Sequence, residues 1–108
     1  MDHSEQLIDQ CATDALFGGL DGDTVVVLLE AAEDDITIWC DKLLAAWAAS
    51  DPEAASRARH SLRGLCGNFG AVALLNLSEQ FPADQLAADR LRECRSATLA
   101  AMRSAVLS

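Results

Sequence analysis

Residues 25–49 read VVVLLEAAEDDITIWCDKLLAAWAA, and one stripe runs through them: Val25, Leu29, Ala32, Ile36, Trp39, Leu43 and Ala46. Its steps alternate between four and three. That spacing lines all seven side chains along one side of an α-helix and makes the seam of a bundle. A half-buried strand would alternate with period two, and this stretch does not.

The neighbouring residues punctuate the helix on both sides. Upstream, Asp21-Gly22-Asp23-Thr24 offers acids and a hydroxyl to the free backbone N–H groups of a helix start. Before it, Leu7, Ile8, Cys11, Ala15 and Leu16 form a short amphipathic stretch that ends at Gly18-Gly19. Downstream, Ser50-Asp51-Pro52-Glu53 closes one helix and opens the next, with Asp51 as N-cap, Pro52 at the first helical position and Glu53 in the first turn. The new helix carries Ala55, Ala58, Leu62, Leu65, Cys66 and Phe69 on its apolar side. After Gly70-Ala71, a second short apolar helix holds Val72, Leu74, Leu75, Leu77, Ser78 and Phe81, and Pro82 and Asp84 break it. A last helix runs over about residues 84–106, with Ala87, Leu91, Cys94, Thr98, Ala101 and Ala105 again spaced four and three. Four amphipathic helices with short connections pack most simply as an all-α, antiparallel up-and-down four-helix bundle, here with a short additional N-terminal helix. No internal repeat or low-complexity linker interrupts the chain, so residues 1–108 are expected to form a single domain.

Composition agrees. The 108 residues are 51% hydrophobic and 23% charged, with 20 Ala, 16 Leu, two Pro and no Tyr, a helix-favouring mixture. No apolar run approaches the length of a transmembrane helix. Met1-Asp2-His3-Ser4-Glu5 lacks the basic and then apolar make-up of a secretion signal. The expectation is a cytoplasmic, free-standing, monomeric protein without a membrane partner. The net charge of −9 disfavours nucleic acid, whose phosphates need clustered Lys and Arg. The charge is uneven: residues 1–53 carry 13 acids and the single base Lys42, whereas residues 54–108 carry 4 acids and 7 arginines. The second half therefore reads as a locally basic surface, or as charged helix faces that happen to segregate. The cysteines, at 11, 40, 66 and 94, have neither zinc-ligand spacing nor a secretory context. They read as buried thiols acting as small apolar residues, with no metal site.

One face lacks a structural reason. On a helical wheel with Leu62 at zero, His60 falls at about 160°, Gly64 at about −160° and Gly67 at about 140°. Arg63 and Arg57 flank them. Two glycines within an exposed helix face cost about 1 kcal/mol each relative to Ala. Their missing side chains let another surface approach the backbone beside an accessible imidazole.

Residues 57–71, RARHSLRGLCGNFGA, resemble the signature of histidine-containing phosphotransfer (HPt) domains. The pattern is a His, a basic residue three positions on, Gly at the fourth, small residues after it, and a Gly–Ala pair opening the next helix. His60, Arg63, Gly64, Asn68, Gly70 and Ala71 fit it. The sequence departs from the pattern at Leu65, where a small residue is usual. It departs again at Pro82, where many members place a Gln or Glu that bonds the second ring nitrogen; Ser78, Glu79 and Gln80 are the alternatives nearby.

The resemblance implies a phosphoprotein of two-component phosphorelays that carries a phosphoryl group on His60 between receiver-domain aspartates. Arg63 would stabilise the phosphate, and Arg57, Gly64, Gly67 and Asn68 would dock the partner. The partners would be a response-regulator receiver domain and a hybrid or sensor histidine kinase. No cofactor is implied for this chain, since Mg²⁺ belongs to the receiver. Imidazole suits the task because its titration range straddles neutral pH, leaving a lone pair to attack phosphorus; Nε2 projects furthest from the helix. No nucleotide-binding Gly motif occurs, so ATP-dependent kinase activity is not expected. Two rivals stand beside this reading. One is a non-catalytic helical adaptor that binds through the same glycine-flattened face. The other is a metal or redox module of His3, His60 and the cysteines, which the wheel disfavours because His60 and Cys66 lie about 120° apart.

Overall fold

The computed structural model describes residues 7–80 and 83–107. They form five helices: α1 (Gln10–Phe17), α2 (Gly22–Ala49), α3 (Pro52–Phe69), α4 (Val72–Ser78) and α5 (Gln85–Leu107). No strand occurs among the described residues.

The helix starts lie where the capping residues put them. Asp21 accepts the Thr24 N–H at 2.8 Å, Asp51 the Ala54 N–H at 3.1 Å, and Asp84 the Ala87 N–H at 2.8 Å. The Thr24 backbone N–H, with its hydroxyl, holds the Asp21 carboxyl below its ordinary range. α2 and α3 both stop on a residue in the left-handed region, Ser50 at φ 52° and Gly70 at φ 61°.

α2 makes its most extensive contact with α3 and also packs on α5, while α4 lies against α3 and α5. These four helices close into a ring around Leu29, Ile36, Cys40, Leu43, Leu62, Cys66, Phe69, Leu74, Leu91 and Met102, each buried. α1 rests on α3 and α5. Its seat is specific: the Asp9 N–H donates to Phe69 O at 2.7 Å, satisfying a carbonyl left free where α3 ends, and the Phe17 ring lies 5.7 Å from the Phe69 ring.

Several expected positions shift. α2 faces two neighbours, so its buried side is wider than one seam: Cys40 and Trp47 are inside, while Trp39 is half-buried with Lys42 Nζ 4.7 Å over its ring. In α5, Met102 fills the core and Ala101 and Ala105 are only partly covered. Leu7 and Ile8 precede α1, because Asp9 caps it. The buried residues of α1 are Thr13 and Phe17, so Cys11 and Leu16 lie exposed. Docking on Phe69 sets that face, and no periodicity within eight residues reveals it. The expectation of four buried thiols therefore holds for Cys40 and Cys66, fails for Cys11, and leaves Cys94 half-covered.

Ion pairs link the two unevenly charged halves. Arg95 pairs with Asp41 at 2.6 Å and Arg103 with Glu33 through two bonds, at 2.6 and 3.1 Å. Arg92 pairs with Asp89, and Arg59 and Arg63 with Glu79. Two of the arginines of the second half thus neutralise acids of the first across the α2–α5 seam. Arg57 and Arg90 form no ion pair among the described residues.

Candidate functional site

α3 is built to present two unlike sides. Its start is fixed by Asp51, Pro52 and Glu53, in the order expected for cap, first position and first turn. Ala55, Ala58, Leu62, Cys66 and Phe69 are buried against the other helices. Arg57, His60, Arg63, Gly64, Gly67 and Asn68 are all exposed on the other side. Helix geometry stacks residues 60, 64 and 67 over about 10 Å. All six residues singled out from the sequence therefore share the outer side of one helix.

The glycines are open. A Cβ on Gly64 or Gly67 would meet nothing within 4 Å, and neither residue has a positive φ. Backbone conformation and packing give no reason for glycine at either place. Gly70 differs: its φ is positive, and a Cβ there would collide with the Asp9 side chain. The Gly–Ala pair of the motif therefore has a local duty here, ending α3 and admitting α1.

Each flank of His60 has its own character. Toward α2, Arg57 borders an open groove of about 350 Å³ shared with Trp39, Lys42, Ala45 and Ala49. Toward α4, Arg63 Nη2 donates to Glu79 Oε1 at 3.0 Å, and Arg59 Nε lies 3.9 Å from Glu79 Oε2. Arg59 Nη1 is buried with no hydrogen-bond partner. Nothing in the sequence pattern singles out Arg59, and Glu79 enters it only as a partner for the histidine ring. The missed signal is topological: a seven-residue helix after the Gly70 turn brings its C-terminal end back alongside the middle of α3.

None of the three residues considered for the second ring nitrogen bonds His60. The Ser78 hydroxyl is buried and donates to Leu75 O at 2.6 Å, Glu79 faces the arginines, and the Gln80 backbone N–H donates to Leu77 O at 3.5 Å. Pro82 and Phe81 lie outside the described residues, as does His3.

Cys40 and Cys66 are buried, whereas His60 is exposed. Burial pushes Cys40 and Cys66 up to about 12, so neither is a thiolate at neutral pH. Cys66 faces the core and His60 faces solvent from the same helix. No group of three or more His, Cys, Asp and Glu is gathered for a metal among the described residues. Nor is any helix there long and apolar enough to cross a membrane. A larger cleft of about 560 Å³, bordered by Phe17, Leu20, Val25, Val106 and Leu107, lies where α1, the start of α2 and the end of α5 meet, and His60 is not among its residues.

Comparisons with protein-family models, with curated proteins and with solved structures find no match to this chain.

Proposed function

We propose that this chain is an HPt-like phosphoryl carrier of a two-component phosphorelay, with His60 as phosphoacceptor. One observation carries the reading. His60 stands exposed on a helix face that two glycines leave bare for no internal reason, with Arg63 one turn away. A finer view of the fold accompanies it, an antiparallel up-and-down bundle. The seam pairs Glu33–Arg103 and Asp41–Arg95 support that view, since the α2 numbers rise as the α5 numbers fall.

The chemistry asks little of the carrier. A lone pair on the neutral imidazole, at Nε2, forms an N–P bond as the O–P bond of a receiver's aspartyl phosphate breaks. The carboxylate leaves with the electron pair, and the ring keeps its proton on the other nitrogen as phosphoimidazolium. Catalysis is mostly in-line positioning and neutralisation of the equatorial oxygens. Gly64 and Gly67 permit the close approach, Arg63 supplies charge, and Arg57 and Asn68 border the docking surface. The receiver brings the aspartate and its Mg²⁺. The proposal includes a cytoplasmic, monomeric protein that receives its phosphoryl group within a relay begun by a sensor or hybrid histidine kinase.

The adaptor reading shares the bare face, and one observation favours it: Arg63 is already engaged by Glu79. Incubation with a panel of receivers carrying labelled phosphate separates the two. A carrier takes up acid-labile label from at least one receiver and returns it. An adaptor binds and gains none.

A further inference from the structure

The acid that closes α4 faces two arginines of α3. Glu79 sits at the end of α4, and its carboxylate spans two guanidiniums on successive turns of α3, one residue before His60 and three after it. Arg63 is 58% exposed and Glu79 44%, so the pair contributes little to stability. Its effect is positional: it draws the Arg63 guanidinium toward α4. An anion arriving on His60 would be a second claimant for the same donors, and a phosphoryl group carries more charge than a carboxylate.

The geometry points to Glu79 as a positioning residue that competes with a phosphoryl group on His60 for Arg63, and so sets how firmly the carrier holds its cargo. The inference rests on His60 being the phosphoacceptor. In the unmodified protein Glu79 keeps Arg63 ordered and its charge neutralised. On phosphorylation Arg63 turns to the phosphoryl oxygens, and Glu79 is left to Arg59, whose Nη1 has no other partner. Competition of this kind suits a carrier, which must release as readily as it accepts.

The test measures how phosphoryl groups distribute at equilibrium between this protein and a receiver aspartate. Glu79→Gln should shift the distribution toward His60 by about 1.5-fold to fivefold, the size of an exposed ion pair. Arg63→Gln should shift it the other way. The double variant should match Arg63→Gln alone, because Glu79 acts only through Arg63. Glu79→Asp should fall between wild type and Glu79→Gln. Thermal unfolding should be nearly the same for Glu79→Gln and wild type, which separates positioning from a structural role.

Phosphoramidate supplies a partner-free control. The His60 lone pair forms the N–P bond, the P–N bond of the zwitterionic donor breaks, and ammonia leaves. If neither phosphoramidate nor any receiver labels the wild type, the phosphoacceptor reading fails and takes this inference with it. If the wild type is labelled and Glu79→Gln distributes as wild type does, the inference alone is overturned. It is overturned equally if Glu79→Gln still shifts the distribution in the Arg63→Gln background.

Discussion

Gly70 and Gly64 lie six residues apart, one ending α3 and the other in its exposed middle. Gly70 is held at positive φ, with the Asp9 side chain where a Cβ would go, at the spot where α1 docks through the Asp9–Phe69 hydrogen bond. Gly64 has ordinary helical backbone and open space around it. At Gly70 the fold itself demands the absence of a side chain. At Gly64 nothing inside the molecule does. The same residue type thus serves packing at one end of the helix and has no packing duty at its middle.

The sharpest contrast should come from alanine at both places. Gly70→Ala should lose about 2–4 kcal/mol, from left-handed strain plus displacement of α1, and melt roughly 10 °C or more below wild type. Gly64→Ala should instead gain about 1 kcal/mol, as a helix former replaces glycine in an exposed interior position. Gly67→Ala, nearer the helix end, should gain less. Thermal melts of the three variants check the ordering, and a sharp fall in melting temperature for Gly64→Ala would mean that this glycine serves packing after all. Gly64→Leu should keep the fold and weaken receiver binding, a split that titration calorimetry beside a melting curve reads directly. The smallest effect concerns Ser50, which ends α2 in the conformation Gly70 adopts at the end of α3. Ser50→Gly should gain up to about 1 kcal/mol, with no change in receiver binding.

Those contrasts also mark what the chain discloses by itself. Asp21 and Asp51 announce their helices because capping is local chemistry, satisfied within three residues. The division of α3 into a buried and a bare side follows from its spacing alone, and every residue assigned to either side lies there, with Leu65 half-buried at the boundary. What depends on a second helix could not be read. The buried side of α1 is chosen by Phe69, more than fifty residues away. Trp47 and Met102 enter the core because α2 and α5 each touch more than one neighbour. Two arginines of the second half meet Asp41 and Glu33 only across the seam. Glu79 meets Arg63 only through the turn at Gly70. Periodicity orients a residue on its own helix, and packing decides what it meets.

The phosphoacceptor assignment is tested most directly by where a phosphoryl group goes. Wild-type protein and His60→Gln are incubated with a phosphorylated receiver domain, and intact mass and peptide mapping follow under conditions that preserve phosphohistidine. The wild type should gain the mass of one acid-labile phosphoryl group, mapped to residue 60, and His60→Gln, folded by circular dichroism, should gain none. Phosphate on His60→Gln, or a wild-type label mapped to His3, would contradict it.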